Sequence, residues 1–119
     1  MQLILFVLNN PGLLDDILTA WDEAGVGGIT IMASTGMARI REKGPWRDDL
    51  PLIPSVEDFH DYIQSLNRTL FTIVDSDEMV DKVIQATQKV TGDLNDPNTG
   101  ILVTLPVGRF LGIFRNNGN

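Results

Sequence analysis

The sequence predicts an α+β fold of the ferredoxin-like, split βαβ kind, because it states one pattern twice. An apolar strand, a short amphipathic helix and a second apolar strand run from Leu3 to Met32 and again from Leu70 to Val107, with a long charged connector between. In that arrangement two helices lie on one face of a four-stranded antiparallel sheet, so the strands should alternate apolar and polar side chains. They do not: Leu3, Ile4, Leu5, Phe6, Val7 and Leu8 form an unbroken run. Ile29, Ile31 and Met32, then Leu70, Phe71, Ile73 and Val74, then Ile101, Leu102, Val103 and Leu105 likewise supply both parities. Both faces are therefore expected to be buried, the second one against other copies of the chain.

Each element has its own local signals. Asn10 is placed to cap a first helix with Pro11 in its opening turn, Leu14, Ile17, Leu18, Trp21 and Ala24 on one side, and Gly25 as its stop. In the second unit Asp75 with Glu78 has the spacing of a capping box, Met79, Val80, Val83, Ile84 and Val90 form the apolar stripe, and Gly92 ends it. Lys82 and Lys89 then fall on its solvated face. Within the connector, Ser55 or Asp58 is placed to cap a short helix over 56–66, with Val56, Phe59, Ile63 and Leu66 at helical spacing.

A chain of 119 residues with 43% hydrophobic content suits one domain, here 1–119, with a real core. The lack of cysteine excludes disulfides and thiolate metal sites. No leader pattern and no membrane-length apolar span are present, so a cytoplasmic protein that is not integral to a membrane is expected. A formal charge of -7 disfavours nucleic acid as a partner.

The connector, over about 35–69, exceeds what antiparallel neighbours need, and loops of that length are commonly functional. Four of the nine basic residues, Arg39, Arg41, Lys43 and Arg47, lie in its first part. They make either a solvated face balanced by Glu42, Asp48 and Asp49 or a local anion site, since guanidinium and ammonium groups bind phosphate or carboxylate by charged hydrogen bonds. No enzyme signature accompanies them. His60 is the single histidine and has no nucleophile or metal-ligand partner at motif spacing. Neither a phosphate-binding Walker loop nor a nucleophile elbow occurs, and the acid pairs Asp15 with Asp16 and Asp48 with Asp49 carry no catalytic assignment. No enzymatic activity and no required cofactor are expected.

Several segments, in order, resemble the nitrogen regulatory P-II family and its P-II-like signal-transduction relatives. Ala24-Gly25-Val26-Gly27-Gly28-Ile29-Thr30-Ile31 is similar to the passage from first helix to second strand. Thr35-Gly36-Met37-Ala38-Arg39 resembles the start of the long T-loop, where the family has Gly-Phe-Gly-Arg-Gln. Val80 to Ile84 resembles the second helix, Val90-Thr91-Gly92-Asp93 the start of the B-loop, and Ile101 to Val107 the fourth strand with its Leu-Pro-Val ending. The resemblance implies a homotrimer whose sheet faces meet at its centre. Adenine nucleotides or related small effectors would bind between subunits, and the T-loop, here within 36–69, would dock onto a transporter, enzyme or regulator. It also implies ligand-binding roles for Ser34, Thr35, Gly36, Met37, Ala38 and Arg39 at the loop base and for Thr91, Gly92 and Asp93 across the cleft, with Arg39 facing phosphate.

The chain also departs from the family. Ile40 stands where the T-loop glutamine helps organise the metal, nucleotide and 2-oxoglutarate site. The B-loop lysine is missing from Asp96-Pro97-Asn98-Thr99-Gly100, the C-terminal arginines align with Gly112 and Phe114, and Arg109 and Arg115 are out of register. Losing three cationic contacts at about 1.5–3 kcal/mol each would lower ATP affinity by orders of magnitude, so tight ATP binding in the family manner is not expected. Ala33-Ser34-Thr35-Gly36 and Asn67-Arg68-Thr69-Leu70-Phe71 resemble segments of P-II-like cyclic di-AMP receptors, and the Ser-Thr-Gly run is also ordinary turn chemistry. A trimeric sensor of a small anionic or adenine-nucleotide effector leads. A cyclic di-AMP receptor, a metal-binding or metal-tolerance trimer, and a small ferredoxin-like enzyme remain as alternatives.

Overall fold

A computed structural model of the chain describes residues 1–37 and 66–112 together with Val56 and His60. The elements are β1 (Gln2–Leu8), a 3-10 turn (Pro11–Leu13), α1 (Leu14–Ala24), β2 (Thr30–Ser34), β3 (Asn67–Val74), α2 (Asp77–Thr91) and β4 (Gly100–Pro106). The four strands form one sheet in the order β2-β3-β1-β4, and every neighbouring pair is antiparallel. The chain is thus α+β, the described residues giving α1, α2 and a four-stranded antiparallel sheet, an architecture compatible with a ferredoxin-like fold. Ala38, Arg39, Arg41, Lys43 and Arg47, and all of the expected 56–66 helix except Val56, His60 and Leu66, lie outside the described residues.

Burial assigns the two faces of the sheet. Ile4, Phe6 and Leu8 on β1 and Leu70 on β3 are fully buried, with Val74 close to it, against Ile17 and Trp21 of α1 and Val83 of α2. In register, Ile4 faces Thr72 and Phe6 faces Leu70, so these side chains share one face. Phe6 and Trp21 stack obliquely, their ring centroids 6.2 Å apart. The two helices pack on each other through a polar link: Trp21 Nε1 donates to Thr87 Oγ1 at 2.8 Å, and that hydroxyl donates to Val83 O at 2.6 Å. Thr87 and Trp21 are both fully buried, so the bond satisfies an indole N–H that has no access to water.

The caps differ from the expected ones in two places. Asn10 accepts from Gly12 N at 2.9 Å and so caps the 3-10 turn, while α1 starts at Leu14 without a side-chain cap. The cap of α2 is Ser76, which accepts from Met79 N at 3.2 Å. The Asp75–Glu78 pair is one residue out of register, since a capping box counted from Ser76 would need its acid at position 79. Gly25, at φ 105°, closes α1 as expected: its N–H bonds Asp22 O and the N–H of Val26 bonds Trp21 O, the paired pattern that a left-handed residue permits.

Candidate functional site

At the base of the connector, Ser34 ends β2 opposite Asn67, where β3 begins. Ser34 Oγ and Thr69 Oγ1 share a 2.8 Å hydrogen bond across the two strands. The Arg68 guanidinium turns back on its own chain, with Nη1 donating to Leu66 O at 2.6 Å and to Asn67 O at 3.3 Å. Asn67 Oδ1 is buried and has no hydrogen-bond partner among the described residues. Both ends of the connector are thereby tied to the sheet, and Thr35, Gly36 and Met37 leave β2 exposed. No hydroxyl bridge between Ser34 and Thr69 was legible in the sequence, because it depends on strand register.

The second group of candidates closes α2. Thr91 is the last residue of that helix, and its hydroxyl bonds Thr87 O at 3.2 Å and Gly92 O at 2.8 Å. Gly92 takes φ 82°, and Asp93 Oδ1 accepts from Asn95 N at 2.9 Å. Gln88 Oε1 accepts from Leu94 N at 3.0 Å, and Thr99 Oγ1 donates to Leu94 O and Asp96 O. Side chains and backbone of this turn mainly bind each other, and its charges are the carboxylates of Asp93 and Asp96.

Strand pairing shows how far apart the two groups lie. Ser34 pairs with Asn67, the adjacent Arg68 with Leu8, and Leu8 with Gly100, so both groups sit at the same end of the sheet on opposite edges. Three strand spacings of about 4.8 Å separate the ends of β2 and β4 by roughly 14 Å, and Thr91–Asp93 lie off the sheet, where α2 ends and the turn to β4 begins. Within one chain β3 and β1 lie between the β2 and β4 ends.

Leu3, Leu5 and Val7 on β1, Phe71 and Ile73 on β3, and Ile101, Val103 and Leu105 on β4 occupy the sheet face away from the helices, by their register. Met32 joins them on β2 opposite Thr69. Ile101, Met32, Leu105 and Val103 are 63, 46, 51 and 42% exposed. The face carries no charged residue from any of the four strands, since Arg68 belongs to the other side by its pairing with Leu8. In the single chain one face of the sheet is buried and the other is open and apolar.

Among the described residues no group of three or more His, Asp or Glu is placed to hold a metal ion, and no helix is long and apolar enough to cross a membrane. No family model matches the chain, and no curated protein matches its sequence.

Proposed function

We propose that the chain is a P-II-like regulatory protein: a homotrimer that senses a small anionic or adenine-nucleotide effector and signals to a target protein through the connector. The observation that carries this reading is the open apolar face together with the split placement of the two candidate groups. Strand order β2-β3-β1-β4, with β1 and β2 running the same way on either side of β3, is compatible with a split βαβ sheet and supports this reading. Rotating copies so that their open faces meet brings the β2 edge of one toward the β4 edge of the next. That would bring the Ser34–Gly36 turn of one copy toward the Thr91–Asp93 turn of the next, groups that strand order keeps toward opposite edges within one chain.

The effector is held mainly from the connector side. Asp93 and Asp96 make the far wall acidic, so phosphate charge is met by Arg39 and its neighbours, and a nucleotide with few phosphates is favoured over ATP. The target docks on 36–69. A thermal-shift screen with ATP, ADP, AMP, cyclic AMP, cyclic di-AMP and bicarbonate tests the sensing half, followed by calorimetry. Arg39→Ala should weaken the best binder about tenfold or more, the value of one charged hydrogen bond of about 1.5–3 kcal/mol. If no compound in the screen binds, or Arg39→Ala binds as wild type does, the sensing site is wrong.

A further inference from the structure

On the outer side of the molecule α1 and α2 enclose a groove of about 480 Å³. Asp16 and Glu23 form its α1 wall, Lys82 and Lys89 its α2 wall, and Ala20 and Ala86 lie between. The walls match: each carries two like charges seven residues apart, which is two helical turns or about 10.5 Å. None of the four has an ion-pair or hydrogen-bond partner among the described residues.

The helices are antiparallel in register, as the Trp21–Thr87 bond and the approach of Gly25 to Met79 fix. Glu23 therefore lies level with Lys82, and Asp16 level with Lys89. We propose that this groove is a self-docking surface that joins two copies of the chain about a two-fold axis parallel to the helices. That axis lays the second copy's α1 over α2, so its Glu23 meets Lys82 and its Asp16 meets Lys89, and symmetry repeats both pairs. A two-fold axis across the helices would instead put acid on acid, so the charges select one orientation. A second copy is the fitting occupant because it carries the complementary charges at the same spacing, and the alanines let the helices approach.

The contact is a weak one. Helices of 11 and 15 residues are about 16 and 22 Å long, and at a spacing of about 10 Å they offer a few hundred Å² per copy. It is independent of the sheet-face assembly and of any effector. Sedimentation at about 0.1 M salt, where the Debye length of about 10 Å screens net charge more than close pairs, reads it directly. Between about 10 µM and 1 mM the wild-type weight-average mass should rise above its dilute value, to twice that value where the dilute species is a single copy and beyond it where it is a trimer with three such grooves. Two variants of equal net charge separate this docking from general electrostatics. Glu23→Lys with Lys82→Glu exchanges the members of one pair and should associate as wild type. Glu23→Lys with Lys89→Glu makes every pair like-charged and should weaken association at least about tenfold. Equal behaviour of the two variants, both with native circular dichroism, or a wild-type mass that stays constant to 1 mM, overturns the proposal.

Discussion

Val103→Asp is the sharpest probe of the assembly on which the proposed sensing site depends. Val103 lies mid-strand in β4 opposite Leu5, on the open face, and is 42% exposed in the single chain. Full burial of such a side chain is worth about 1.5–3 kcal/mol, so covering the surface that Met32, Ile101, Val103 and Leu105 still expose contributes about 1 kcal/mol each, or ~4 kcal/mol per copy. Aspartate at the centre of that contact removes one of these terms and adds the cost of burying an unpaired carboxylate, several kcal/mol more. The fold itself loses little, because Val103 is not part of the cluster beneath the helices. Light scattering at about 10 µM should give a trimer for wild type and a monomer for Val103→Asp, with unchanged far-ultraviolet circular dichroism. Val103→Thr, of the same shape and without charge, should stay assembled. A natively folded Val103→Asp protein with the wild-type mass, or a monomeric wild type, would refute the reasoning.

Other perturbations test the fold that presents the site. Thr87→Val keeps shape but leaves the Trp21 N–H buried without an acceptor, a loss of about 1–3 kcal/mol; urea midpoints at matched protein concentration should place it below Thr87→Ser, which keeps the hydroxyl. Gly100→Ala should cost at least about as much, since φ 148° is strained for alanine and its Cβ would meet the Val7 carbonyl oxygen; thermal melts in which Gly100→Ala equals wild type would contradict the β1–β4 pairing at that position. Lys82→Ala should leave effector affinity unchanged in calorimetry, as Lys82 lies on the helix layer across the sheet from the open face.

The apolar runs made the strands legible, and the helical stripes placed Ile17, Trp21 and Val83 in the core. Periodicity reports burial and so reached whatever depends on it. It did not reach what depends on a single residue of register. Ser76 rather than Asp75 caps α2, since adjacent polar residues look alike until the backbone chooses one. Thr87 is a polar residue within the helix that no sequence signal singled out, and it is fully buried, where its oxygen accepts from an indole 66 residues away. The unbroken run in β1 suggested two faces that avoid water, and the single chain buries one and leaves the other apolar and open. A strand pattern counts the faces that avoid water without naming what covers them. For the site, Ser34 and Thr91 are candidates by resemblance alone, and only strand order shows that the chain leaves the β2 edge after Ser34 and enters the opposite, β4 edge after the turn that follows Thr91.

In the proposed function, that arrangement ties sensing to assembly. A site completed across two edges exists only in the assembled state, so an effector that bridges them binds the assembly more tightly than the single chain. By linkage, the free energy with which assembly strengthens effector binding is the free energy with which the effector stabilises assembly. Affinity measured on a monomeric open-face variant should therefore drop even with Arg39 and Ser34 intact. A ligand held by the connector base alone would bind that variant unchanged. Comparing effector affinity between Val103→Asp and Arg39→Ala separates a site that spans two copies from one contained in a single loop.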